Sequence, residues 1–77
     1  MNKRRRKAIE DIMAQVKDLH EQLDILKEEE QEAYDNLPEG IQESERGEQM
    51  DEAINLLDEA CDGLLSVADQ LEEIILQ

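Results

Sequence analysis

The sequence predicts an all-α fold, an antiparallel, coiled-coil-like hairpin of two long helices that assembles into a four-helix bundle as a dimer or higher oligomer. Three observations predict it. Apolar residues recur at helical spacing in both halves of the chain. The single proline and a glycine interrupt the middle. With 77 residues, one domain over residues 1–77 buries too little surface to be stable alone without help.

The first helix is predicted over about residues 3–36. Its apolar residues alternate in steps of three and four, the pattern of a heptad seam. This seam contains Ile9, Ile12, Val16, Leu19, Leu23 and Leu26, and continues through Glu30 and Ala33 to Leu37. Met13 and Tyr34 widen the stripe on one side. Glu30 is a charge at a core position, so we expect it to pair with Arg46 across the connection.

The connection is predicted over about residues 37–44. Pro38 disfavours helix in the residue before it, and Gly40 allows a sharp change of direction. A short helical turn is expected over about residues 38–43, and Ser44 is expected to cap the second helix. Gly47 falls on the second seam. There it either lets another backbone approach or is tolerated at a cost of about 1 kcal/mol relative to alanine, as at Gly63.

The second helix is predicted over about residues 45–76 and has a wider apolar face. A second apolar line runs one residue before the seam, and Ala53 and Ala60 in it suit close helix packing. Because a two-helix seam needs less surface, we expect this helix to contact another subunit as well. The predicted oligomer interface comprises Met50, Ala53, Ile54, Leu57, Ala60, Cys61, Leu64, Val67, Ala68, Leu71 and Ile74.

Charge also favours an antiparallel hairpin. Two helices of equal length with a short connection pair antiparallel. The basic start would then lie beside Asp69, Glu72 and Glu73. This start, Lys3, Arg4, Arg5, Arg6 and Lys7, is either a candidate anion or nucleotide site or a cap that neutralises the acidic end.

The net charge of −14 allows three interpretations of the acidic surface. It keeps the protein soluble, it imitates nucleic-acid phosphates, or it binds a metal. The mimic surface would centre on Glu28, Glu29, Glu32 and Asp35. A metal site is disfavoured because His20 is the only histidine and no Glu-x-x-His pair occurs, so no cofactor is predicted. The same charge disfavours direct nucleic-acid binding.

No catalytic constellation is visible, so the chain is predicted not to be an enzyme. Cys61 is expected to pack in the seam, and His20 to pair with Asp24 at the surface. No apolar run follows the basic start and none is long enough for a membrane helix. We therefore expect no membrane contact, a cytoplasmic location in a bacterial host cell, and a partnership with itself and with another protein.

Residues 36–54 contain an LPEG segment followed by SERGE and a methionine. This stretch resembles a motif in short acidic helical proteins of phages and prophages of Gram-positive bacteria, and the likeness covers most of the chain. That family has no established activity, so the resemblance implies a setting and no mechanism. In architecture the chain is also similar to the helical hairpin of phage proteins that sequester signalling nucleotides. It departs from them in having few basic or aromatic residues beyond its start.

Three functions remain open at this point. The first is a non-catalytic phage or mobile-element protein that acts by protein–protein interaction, with counter-defence as its expected role. The second is an acidic nucleic-acid mimic that inhibits a host nuclease or DNA-binding protein. The third is an oligomeric sponge for signalling nucleotides that uses the basic N-terminus.

Overall fold

The computed structural model describes all 77 residues and contains three helices and no strand. Helix α1 spans Lys3–Asp35, the short helix α2 spans Glu39–Gln42, and α3 spans Glu45–Ile75. Helices α1 and α3 pack antiparallel into a rod of 58 × 14 × 13 Å. The predicted all-α hairpin is confirmed, and α1 ends one residue before the predicted boundary.

Both long helices begin with a side-chain cap. The Asn2 side chain accepts a hydrogen bond from the Arg5 backbone N–H at 2.8 Å. Ser44 caps α3 by accepting from the Gly47 N–H at 3.5 Å, as the sequence predicts. Glu45 and Glu48 lie in the first turn of α3, where negative charge is favoured by the helix dipole.

The connection folds back against the start of α3. The carbonyl oxygen of Pro38 accepts from the backbone N–H groups of Ile41 and Gln42 at 2.9 and 3.0 Å, which forms the expected short turn. The Gln42 side chain donates to the Tyr34 carbonyl oxygen at 2.9 Å. A β-carbon built on Gly47 would lie 2.6 Å from the Cα atom of Gln42. Gly47 is therefore needed for a close backbone contact, the first of the two alternatives.

The seam of α3 is the one that the sequence predicts. Its buried residues recur every seven positions, namely Gly47, Ile54, Cys61 and Ala68. Partly buried residues fill the alternate positions, namely Met50, Leu57, Leu64 and Leu71, and Ile75 ends the seam. Cys61 is 3% exposed, so it packs as expected.

The seam of α1 differs from the prediction in half of its positions. Ile9, Val16, Leu23, Glu30 and Leu37 are partly buried as expected, but Ile12, Leu19, Leu26 and Ala33 are exposed. The partly buried residues in their place are Met13, His20, Lys27 and Tyr34. At about 100° per residue, this amounts to turning the helix by about 50°. The apolar stripe of α1 is wider than a seam, so α3 covers only one side of it.

The resulting core is thin. Only Ile54, Cys61 and Ala68 are buried apolar residues. The chain exposes 5848 Å², whereas a compact monomer of its mass exposes about 4,800 Å². A rod of two helices thus leaves on the order of 1,000 Å² more surface in water than a globule would.

Candidate functional site

The two sides of the α1–α3 seam have opposite chemical character. On one side, the Lys27 ammonium lies 3.3 Å from Asp24 of its own helix and 3.0 Å from Asp58 of α3. Because one side chain contacts both carboxylates, Asp24 and Asp58 lie on the same side of the seam. We call this side the charged flank.

The opposite side carries an apolar surface that both helices build. Each residue of this surface comes one position before a seam residue, whereas Asp24 and Asp58 each come one position after one. The apolar residues of both helices therefore lie together on the side opposite the charged flank. We call it the apolar face and define it by Ile12, Leu19, Leu26 and Ala33 of α1 with Ala53, Ala60, Val67 and Ile74 of α3. Ile12, Leu19 and Leu26 are each about half exposed and Val67 is 41% exposed.

The apolar face is organised in layers along the rod. Arg6 lies beside Gln77 and Lys27 beside Asp58, which sets the register of the two helices. In this register the layers are Ile12 with Ile74, Leu19 with Val67, Leu26 with Ala60, and Ala33 with Ala53. The side chains therefore become smaller from the open end, where the chain termini meet, towards the closed end at the connection.

The structure divides the predicted oligomer interface between two surfaces. Met50, Ile54, Leu57, Cys61, Leu64, Ala68 and Leu71 lie in the seam with α1. Ala53, Ala60, Val67 and Ile74 lie in the apolar face, where Val67 is exposed and Ile74 is partly buried. Sequence reasoning missed the contribution of α1 to this face because it assigned Ile12, Leu19 and Leu26 to the seam. Met13 and Tyr34, which widen the apolar stripe of α1, were the sequence feature that indicated the other orientation of this helix.

The charged flank contains three of the four predicted acidic residues in a groove of about 460 Å³. The groove is lined by Glu28, Glu32 and Asp35 of α1 with Asp58 and Asn55 of α3, among others. Glu29 is exposed outside it. Hydrogen bonding to Asp58, and then to Asp24, raises the pKa of Lys27 above its usual 10.5. The Lys27 ammonium is the only cation on this groove.

Two expected ion pairs do not form. Glu30 is partly buried in the seam, but no ion pair joins it to Arg46. In the register that Lys27 and Asp58 set, Glu30 lies opposite Asn55, and Arg46 is nine residues, about 14 Å, away along α3. His20 lies in the seam rather than at the surface, and no ion pair joins it to Asp24, which pairs with Lys27.

The basic start makes one contact across the open end. Arg6 donates a hydrogen bond to the backbone oxygen of Gln77 at 3.1 Å, and no ion pair reaches Asp69, Glu72 or Glu73. Lys7 pairs with Asp11 at 3.1 Å, and hydrogen bonding to Asp11 raises the pKa of Lys7. Lys3, Arg4 and Arg5 are exposed and form no ion pair.

No group of three His, Cys, Asp or Glu side chains lies close enough to hold a metal ion. None of the helices combines the length and apolar character that a bilayer crossing requires. Comparison with protein-family models, curated proteins and solved structures gave no match to this chain.

Proposed function

We propose that this chain is a non-catalytic protein-interaction module that acts by docking through its apolar face. The observation that carries the proposal is the continuity of this face. Its layers run for about 32 Å along one side of the hairpin, while the other side of the same seam is charged. Isolated apolar side chains are normal on a surface, but an aligned patch contributed by two elements is typical of a binding surface.

The hairpin itself does not account for the exposed leucines. Leu19 and Leu26 are half exposed, while His20 and Lys27 occupy the neighbouring seam positions. Burying a fully exposed leucine contributes about 2 kcal/mol, so covering the exposed half of each of these two would contribute about 1 kcal/mol to docking. A helix or helix pair that presents its own apolar stripe matches the length and width of this face.

The test is site-specific photo-cross-linking in bacterial cytoplasm. A benzophenone amino acid replaces Leu19 in one variant and Leu65 in the other. Leu65 is a matched control because it is 45% exposed against 50% for Leu19, but it lies on the charged flank. We expect protein adducts from position 19 and few from position 65. Equal yields, or no adduct from position 19, would contradict the proposal.

The setting we propose is a phage or prophage of a Gram-positive host, with a component of host defence as a target. The LPEG and SERGE segments support this setting through their resemblance to phage proteins. Expressing the chain in a host that carries a defence system, and counting phage plaques with and without it, tests the role. Unchanged plaque numbers across a panel of defence systems would count against counter-defence and leave the docking face untouched.

A second candidate function is nucleic-acid mimicry, favoured by the linear charge density of the rod. A net charge of −14 over 58 Å corresponds to one negative charge per about 4 Å. One DNA strand carries a charge every ~3.4 Å. Binding to a basic nuclease should then weaken steeply with salt, and the triple variant Glu28→Gln, Glu32→Gln, Asp35→Asn should reduce the salt dependence. Salt-independent binding would exclude mimicry.

A further inference from the structure

We infer that the apolar face is covered by a second copy of this chain in antiparallel orientation. The inference rests on the proposed function, since it names the partner of the same face. A target in the host would then bind a surface of the dimer other than the apolar face. A two-fold axis would cross the face at its midpoint, near Gln22 of α1 and Gly63 of α3. Each α1 then packs along the α1 of its partner, and each α3 along the α3 of its partner, in a four-helix bundle.

The exposed area has the size that such a dimer needs. The chain exposes 5848 Å², on the order of 1,000 Å² more than a compact monomer of its mass. A stable interface of standard size removes about 800 Å² from each partner. Covering the apolar face would therefore leave each chain with about 5,000 Å² in water, close to the roughly 4,800 Å² of a compact monomer of its mass.

Side-chain size selects the antiparallel orientation. The layers shrink from Ile12 with Ile74 at the open end to Ala33 with Ala53 at the closed end. In the antiparallel dimer, Ile12 faces Ala33 of the partner subunit and Leu19 faces Leu26 of the partner subunit. Large layers then meet small ones, so the two hairpins stay at a uniform distance and pack without voids. In a parallel dimer, isoleucines would meet isoleucines and alanines would meet alanines, which would splay one end.

Gly63 supplies an independent observation. It lies in the middle of α3, where glycine is disfavoured, and a β-carbon added to it would meet nothing within 4 Å. The hairpin alone therefore gives no reason for it, unlike Gly47. Gly63 is three residues after Ala60 and four before Val67, so it borders the apolar face. At the two-fold axis its missing side chain would let the α3 helices of the two copies approach closely.

Charge selects the same orientation. Residues 28–48 around the closed end contain nine acidic residues and one basic residue, a net charge of −8. A parallel dimer would place two such ends side by side. The antiparallel dimer separates them by most of the 58 Å length, several times the Debye length of about 8 Å at physiological ionic strength. It also places the exposed Lys3, Arg4 and Arg5 beside the acidic closed end of the partner.

Sedimentation equilibrium tests the partner. The full chain should be a dimer of the 8.9 kDa protomer at micromolar concentration. Leu19→Glu should raise the dissociation constant by on the order of 100-fold or more, because two charges enter the interface. Leu65→Glu, on the charged flank, should remain dimeric. A monomeric wild-type chain would overturn the second-copy proposal. In that case, photo-adducts at position 19 that contain another protein would support the docking function, and their absence would contradict it.

Spin-label distances test the orientation without disturbing the interface. Labels are placed on Asp11→Cys or Ile25→Cys, which lie on the outer surface of α1, in a Cys61→Val background. In the antiparallel dimer, the labels at position 25 are offset along the axis by about 8 Å and those at position 11 by about 35 Å. In a parallel dimer both offsets are near zero. A long distance at 11 with a short one at 25 is the expected result, and equal distances would overturn the orientation.

Discussion

The two flanks of the hairpin lie one residue to either side of the same seam, and they differ in whether they are complete. On the charged flank, Lys27 contacts Asp24 and Asp58, and the remaining carboxylates face water. On the apolar face, Leu19 and Leu26 remain about half exposed. Charged side chains are stabilised by hydration, whereas covering exposed leucines lowers the free energy by removing apolar surface from water. One side of the hairpin is therefore stable in contact with water, while the other gains stability when a partner covers it.

The largest loss of stability is expected from a substitution of Gly47, where the α3 seam begins. Gly47→Ala would drive a methyl group into the backbone of Gln42, so we expect the free energy of unfolding to fall by about 3 kcal/mol. Urea denaturation at a fixed chain concentration measures the change. Gly40→Ala is the control, because its β-carbon meets nothing within 4 Å. Similar stability of the two variants would show that the connection does not pack against α3.

A smaller change, and a gain in stability, is expected from a substitution of Glu30, which lies in the seam between the two flanks. Glu30 is partly buried and has no ionic partner. Glu30→Leu should raise the free energy of unfolding by about 1–2 kcal/mol, because an apolar side chain gains from burial where a carboxylate loses hydration. Thermal denaturation measures it, with the exposed Glu32→Leu as control. A loss of stability would mean that Glu30 has a role in the seam that its contacts do not reveal.

At Gly63, the effect of an alanine substitution on stability should depend on whether the chain can dimerise. In a Leu19→Glu background, Gly63→Ala should stabilise the hairpin by about 1 kcal/mol through helix propensity. In the wild-type background, the same change should weaken dimerisation because the added methyl group enters the interface. Unfolding and sedimentation of the wild type, the two single variants and the double variant give the coupling free energy between positions 19 and 63. Purely additive effects would remove Gly63 from the interface.

The smallest effect is expected on the charged flank. The Asp58 side chain is 59% exposed and water screens its pair with Lys27, so Lys27→Met should change the stability at neutral pH less than any of the substitutions above. The pKa of Lys27 is raised in the folded chain. Its contribution is thus fully present below pH 10.5 and is lost as the pH rises through the folded-state value. The stability difference between wild type and variant should shrink over that alkaline range, and a constant difference would contradict the pairing.

Much of this fold follows from local patterns. The spacing of the α3 seam, the Ser44 cap and Pro38 after the end of α1 each specify a local structure, and all of them appear. Gly40 instead lies inside α2 without a positive φ, so the change of direction does not depend on it. The candidate site was only half predictable. The line Ala53, Ala60, Val67 stood out because it accompanies a complete seam. The α1 half did not, because Ile12 and Leu19 fit a seam spacing equally well.

Residue spacing and short-range contacts specify the helices, their ends, the seam of α3 and a strongly acidic surface. The rotation of α1 about its own axis depends on its packing against α3. Its apolar stripe is wide enough for two orientations that share Ile9, Val16 and Leu23 and differ by about 50°. Packing against α3 selects the one that places His20 and Lys27 in the seam. That choice leaves Ile12, Leu19 and Leu26 beside Val67 and so creates the apolar face.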